Sequence, residues 1–200
     1  AKDITITNSY VDFKVKLNGK NERIKTDIPG RFSVYNSLAA ISVALRLGCS
    51  TENIKTALEN VKVPGRSELV DNKLGLTIMV DYAHSPESLE NILQAVKSYT
   101  RGKVISVFGC GGDRDSGKRP IMGEISEEIV KQIEEGIKKT KAKYECIVDR
   151  TEAIKKAIQI ADKTDIIVLA GKGHETYQEI NHEKHHYDER EIIKEIIDNM

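Results

Sequence analysis

Cysteine is scarce in this sequence and an excess of either charge is absent. The 200 residues hold three cysteines, Cys49, Cys110 and Cys146, far apart and without a Cys-x-x-Cys pair. That spacing excludes a disulfide scaffold and a cysteine-based zinc site. It suits a reducing cytosol, so a cytoplasmic location is expected. Lys plus Arg and Asp plus Glu are each 31, for a net charge of +0, which argues against nucleic-acid binding driven by bulk charge. No apolar run approaches the roughly 20 residues that cross a bilayer, and the first residues lack a signal-peptide pattern. Neither a membrane nor a nucleic-acid partner is expected. The sequence opens at Ala1 rather than at a Met, and a piece of a longer chain is the expectation. What is present, 39% hydrophobic and 31% charged residues, describes a globular protein able to bury about two thirds of its unfolded surface.

The first 30 residues read as β-rich. Asp3 to Thr7 and Phe13 to Leu17 alternate apolar and polar, and Asn18-Gly19 is a turn signal between strands. From Ser33 to Leu47 the pattern turns helical, with Leu38, Ile41 and Leu45 at helical spacing and Gly48 as a stop. Ser50 or Thr51 caps a shorter helix through Leu58. Pro64-Gly65 marks the expected boundary between a domain over residues 1–63 and another over 64–200. Beyond it strands and helices alternate. Leu76–Val80, Val104–Phe108, Tyr144–Val148 and Ile166–Ala170 read as strands. Ser85-Pro86 opens a helix, Thr151 caps another, and Asp188 with Glu191 forms a capping box for the last. Such alternation predicts an α/β fold with a mostly parallel, doubly wound sheet, whose ligands sit beyond the carboxyl ends of the strands.

Three segments follow strands directly and so fall at that edge. In Asp81-Tyr82-Ala83-His84-Ser85-Pro86, Asp81 can accept from sugar hydroxyls, and His84 begins a helix whose dipole favours anions. A strand terminator and an exposed loop histidine would look the same. The second, Phe108 to Pro120, combines glycines that permit close backbone approach with Arg and Lys that can clamp an anion. Gly112 to Lys118 has the spacing of a phosphate loop, but Arg119 stands where the magnesium-binding Ser or Thr belongs. An ATP phosphate loop is therefore rejected here, and an ordinary glycine-rich connection is the alternative. In the third, Ala170 to Glu175, two glycines again allow backbone contact and Glu175 can receive an ammonium group. His182, Glu183, His185 and His186 have the composition of a metal site, but the polar stretch reads as a solvated hairpin.

Taken with Ile28 to Ala40 and Pro64-Gly65-Arg66-Ser67-Glu68, these segments resemble the Mur ligase family. The closer resemblance is to members that add the third residue of the peptidoglycan stem. The five pieces occur in the family's order across nearly the whole chain. The resemblance implies that residues 1–63 are the strand and helix end of the central α/β ATPase domain. Residues 64–200 would be the C-terminal, Rossmann-like domain that binds amino acid and nucleotide. Family enzymes form an acyl phosphate from ATP and a carboxylate, which the incoming amino group attacks through a tetrahedral intermediate. The implied substrates are ATP, a diamino acid (meso-diaminopimelate or L-lysine) and the UDP-MurNAc-L-Ala-D-Glu dipeptide. The resemblance assigns Asn36 to adenine, Arg66 and Asp81 to the ribose and phosphate side of ATP, and His84 to the phosphates. It assigns Arg114 to a carboxylate of the diamino acid, and Gly171 and Glu175 to its distal end. No catalytic residue and no metal ligand is assigned in this chain.

Two departures from the family stand out. No GxxxxGK[ST] occurs, nor any uridine-nucleotide domain or magnesium ligand, so ATP and Mg2+ belong to a full-length enzyme and the chain alone is expected to be inactive. A family strand and an Asp-Asn-Pro loop, which reads the amino acid's identity, are also expected to be absent near 126/127. The alternative is one continuous helix, because Ile121, Ile125, Ile129, Ile133 and Ile137 keep helical spacing across the join. A cyanophycin-synthetase-like or folylpolyglutamate-synthase-like ligase is the rival enzyme, and a non-catalytic amino-acid or nucleotide-binding module the rival outside enzymes.

Overall fold

The structure, a computed structural model, describes residues 1–109, 143–180 and 183–200. The expected phosphate-loop near miss, Arg114, the join at 126/127 and His182 lie outside the described residues.

The chain starts with an antiparallel sheet of β1 (Lys2–Ile6), β2 (Val11–Leu17) and β3 (Lys20–Thr26), in that order. Leu17 pairs with Lys20 across Asn18 and Gly19, whose φ angles of 47° and 82° are those of a tight hairpin turn that Asn-Gly favours. Alternation then puts Val11, Phe13, Leu17 and Ile24 on one face. Helices α1 (Phe32–Arg46) and α2 (Thr51–Asn60) add Val34, Ile41 and Ile54 to that core. Ser50 caps α2, its side chain accepting from the Asn53 N–H, and Gly48 ends α1 at a φ of 82°.

The second sheet runs in the order β4 (Glu68–Leu69), β5 (Thr77–Asp81), β7 (Ile166–Ala170), β6 (Val104–Val107). β5, β7 and β6 are parallel and the short β4 is antiparallel. The central strand β7 is buried along its whole length and feeds two cores. Ile167 and Leu169 pack with α4 (Arg150–Ile160) and α5 (Glu189–Asp198), while Ile166, Val168 and Ala170 pack with α3 (Pro86–Lys97). Helices on both faces make this the doubly wound α/β arrangement that the alternating pattern predicts. Burying each such aliphatic side chain stabilises by about 1.5–3 kcal/mol. Phe32, at the start of α1, packs against the α3-side core. A hairpin of β8 (Tyr177–Ile180) and β9 (Glu183–His186) precedes α5.

Three local expectations are corrected. Tyr144–Val148 is not a strand: it belongs to none of the sheets of the described residues, and Val148 is 69% exposed. An apolar run becomes a strand only where tertiary packing sets another strand beside it. The cap of α4 is Asp149, whose carboxylate accepts from the Glu152 N–H, so Thr151 lies inside the helix. Asp188 does cap α5, but its carboxylate accepts from the Arg190 N–H, and Glu191 turns to His186 rather than closing a capping box.

Candidate functional site

The carboxyl ends of β5 and β7 are laced together by backbone. The Gly171 N–H donates to the Asp81 carbonyl at 3.0 Å, extending the parallel register past both strand ends. Gly65, Tyr82 and Gly173 then meet at van der Waals distance. A Cβ at Gly65 would run into the His174 backbone nitrogen, and one at Gly173 would lie 2.6 Å from Tyr82 Cβ and 2.9 Å from the Gly65 carbonyl oxygen. Both glycines have positive φ, 67° and 55°. Only residues without side chains let three loops approach this closely.

Asp81 is the brace of this junction. It is 8% exposed. Its Oδ2 accepts from the Ser67 N–H at 2.8 Å and from the Ser67 hydroxyl at 3.4 Å, and its Oδ1 accepts from the Ala83 N–H at 2.8 Å. Ser67 sits at a φ of 46°, a left-handed conformation unusual for serine, and the Asp81 carboxylate holds it there. Oδ2 thus accepts twice, and Oδ1, which accepts once, keeps a lone pair for a ligand hydroxyl. Sequence reasoning offered Asp81 as either ligand or strand terminator; the geometry gives it a structural task that does not exclude the first.

Above this brace lies an aromatic and cationic surface. The Arg66 guanidinium stands 4.8 Å over the Tyr82 ring. The Tyr82 ring lies 4.7 Å from that of His84 and 5.2 Å from that of His174. Arg66, His84 and His174 are exposed. His84 Nδ1 is 2.8 Å from the Tyr82 carbonyl, which can only accept, so Nδ1 carries the proton in that contact. The group offers a stacking face, a fixed positive charge and imidazole nitrogens, a set suited to a nucleotide's ring and phosphates. Tyr82 and His174 belong to it although sequence reasoning gave them no role. The only signal was their place beside Asp81 and Gly173.

The Gly171–Glu175 loop forms the other side. Gly171, at a φ of 111°, places its backbone near the Gly109 carbonyl oxygen, 3.6 Å from where a Cβ would sit. Glu175 Oε2 is 3.5 Å from Lys172 Nζ, and that ammonium also donates to the Tyr177 carbonyl at 2.6 Å. The Glu175 carboxylate is therefore already balanced by a cation of its own loop, a contact that sequence spacing did not suggest. Behind the loop, Arg150 donates through Nε to Glu189 at 2.5 Å and through Nη2 to the Ala170 carbonyl at 2.9 Å. Glu189 is 1% exposed.

Asn36 is not part of this cluster. It stands exposed on α1, one turn beyond Phe32 on the same helix face. His185 and His186 are adjacent on β9 and so point to opposite faces, which separates them as metal ligands. Among the described residues no three His, Cys, Asp or Glu side chains gather as a metal site. No described helix is long and apolar enough to cross a membrane. A groove lined by Leu93, Lys97 and Val104 lies toward the opposite end of the sheet, where β6 begins.

A family model described as "Mur ligase, glutamate ligase domain" matches residues 65–173. A UDP-N-acetylmuramoyl-L-alanyl-D-glutamate--2,6-diaminopimelate ligase of Caldanaerobacter subterraneus is 48% identical over 98% of this chain and 45% of its own length. The protein of that name from Clostridioides difficile is 41% identical over 100% of this chain and 46% of its own. The chain thus spans about half the length of these relatives. The second alignment runs 220 residues against the 200 of this chain, leaving about twenty positions of the relative without a counterpart. Among solved structures, a diaminopimelate ligase of the same name superposes with a TM-score of 0.66 at 30% identity, covering 98% of this chain and 44% of that one. A MurF ligase of Thermotoga maritima, solved in complex with ADP, shares the fold with a TM-score of 0.57 at 18% identity, covering 86% of this chain and 42% of that one.

Proposed function

The chain belongs to the Mur ligase family, and from that premise we propose that it is the nucleotide- and amino-acid-binding part of an ATP-dependent ligase. The full enzyme joins a diamino acid to UDP-MurNAc-L-Ala-D-Glu, and the relatives' names favour 2,6-diaminopimelate. A carboxylate of the dipeptide attacks the terminal phosphate of ATP, giving an acyl phosphate and ADP. The amino group of the diamino acid then adds to the acyl carbon, and the tetrahedral intermediate collapses with loss of inorganic phosphate and a proton.

One observation carries this reading: the Arg66, Asp81–His84 and Gly171–Glu175 loops meet at the carboxyl edge of one parallel sheet, in backbone contact. Arg66 and the imidazole of His84 take the phosphate side of ATP, the Tyr82 ring offers a stacking face, and a free lone pair of Asp81 accepts from a ribose hydroxyl. Asn36 reaches adenine from the Phe32 face of α1. Gly171 and Glu175 hold the distal end of the diamino acid, and Arg114 grips a carboxylate. We take residues 1–63 as the end of a central ATPase domain and 64–200 as the C-terminal domain. The surplus of about twenty aligned positions supports a missing segment near 126/127. ATP, its Mg2+ and a cytoplasmic location go with the complete enzyme.

The test uses the complete ligase, assayed for phosphate release with ATP, UDP-MurNAc-L-Ala-D-Glu and diaminopimelate. Arg66→Ala is expected to raise the ATP KM by about tenfold or more, from loss of a charged hydrogen bond of about 1.5–3 kcal/mol, and to leave the diaminopimelate KM unchanged. Glu175→Gln is expected to do the reverse. Turnover that ignores both substitutions would overturn the site assignment, and absence of turnover would favour a binding module.

A further inference from the structure

Arg190 has no role in the reading above, yet it touches both loops that carry it. Asp188 grips its guanidinium from below, Oδ1 accepting from Nε at 2.7 Å and Oδ2 from Nη2 at 2.9 Å. The remaining terminal nitrogen, Nη1, donates to Glu68 Oε2 at 3.2 Å and to the Gly173 carbonyl at 3.3 Å. The same Glu68 oxygen accepts from the Gly65 N–H at 2.6 Å. One planar group thus connects the residue preceding Arg66 to the middle of the Gly171–Glu175 loop. It rests on α5, an element anchored in the core through Ile193 and Ile197.

We propose that Arg190 is the positioning residue that holds the Arg66 loop and the Gly171–Glu175 loop in register, so that nucleotide and amino-acid binding are linked through it. This rests on the function proposed above. The two Nη1 hydrogens point to different loops, and the bidentate grip of Asp188 fixes the plane in which they lie. Moving either loop alone breaks one of those two bonds while the guanidinium stays in place. Glycine at positions 65 and 173 permits the close approach but supplies no side chain to fix it, and the Asp81 bonds hold Ser67 and Gly171 rather than these two glycines. Glu68, Asp188 and Arg190 supply the lock. The charges are shared: desolvation works against the ionised Asp188, but its bonds from the Arg190 side chain and backbone N–H hold its carboxyl below the usual range. Asp188 stays ionised throughout the neutral range.

Two measurements test the clamp. In the 200-residue chain, amide hydrogen exchange in Arg190→Gln is expected to accelerate roughly tenfold at both Gly65 and Glu175, with the β7 amides unchanged. Arg190→Lys keeps the charge but not the fork, and is expected to fall between; it also serves if the Gln variant fails to fold. In the complete ligase, Arg190→Gln is expected to raise the ATP and diaminopimelate KM values together. Glu68→Gln should do the same, and the double variant should add little, because both act on one connection. Exchange that stays at parental rates, or rises at one loop only, overturns the clamp, as does a change confined to one KM. If the parent ligase does not use diaminopimelate, the functional reading fails while the exchange measurement still decides the clamp.

Discussion

Tyr99 carries a buried hydroxyl with no hydrogen-bond partner among the described residues. Burial first, and the Asp81 carboxylate second, push its pKa above the ordinary phenol value, so it stays neutral. An unpaired buried hydroxyl loses its hydration without recompense. Tyr99→Phe is therefore expected to leave stability unchanged or raise it by up to about 1 kcal/mol, read by urea unfolding. A clear loss would reveal a partner for the hydroxyl. Asp81 is the opposite case, since every bond it accepts closes a loop of the candidate site. Its position at a strand end was legible from the apolar run Leu76–Val80, but its bonds to Ser67 and Ala83 were not. The first depends on which strand lies beside β5, which is a tertiary fact. Tyr82 and His174 were missed for the same reason: neither has a local pattern, and only the approach of Gly65 to Gly173 joins them.

Elements with strong local signals came through the sequence well. Asn18-Gly19 demanded positive φ and formed the turn; Ser85-Pro86 demanded a helix start, and Ser85 with Ser88 closes a capping box there. Tyr144–Val148 had equal apolar content and failed as a strand, because pairing is decided by neighbours. The step from β9 to α5 also rearranged an expected cap. His186 Nε2 lies 2.5 Å from Glu191 Oε2, and that hydrogen bond, with the charge behind it, raises the His186 pKa above 6.5. A histidine whose folded pKa is raised adds stability below its unfolded pKa and loses it as pH rises through the folded value. NMR titration of His186 is expected to give a midpoint above 6.5 that falls in Glu191→Gln. Added salt should shrink the difference, since both side chains are more than half exposed. An unshifted midpoint would show that the pair does not persist in solution.

One doubly wound sheet brings the loops of the proposed site to one edge of the molecule, while the sequence has no phosphate loop. The 200-residue chain alone is accordingly expected to release no phosphate from ATP and to form no amide bond, measured with ATP, diaminopimelate and the nucleotide dipeptide together. Turnover by the purified chain would refute this. The sheet order has a further consequence. β7 lies between β5 and β6 although it follows both in the chain, and it pairs Thr77 with Ile166 and Val104 with Ile166. During synthesis β5 and β6 emerge before β7 and have no common neighbour until residues 166–170 leave the ribosome. Until then Ile78, Met79 and Val80 line an open edge, and closing it requires contacts across a long stretch of chain. The strand that fills the middle of the sheet therefore also covers the open edge through which a nascent chain could pair with another.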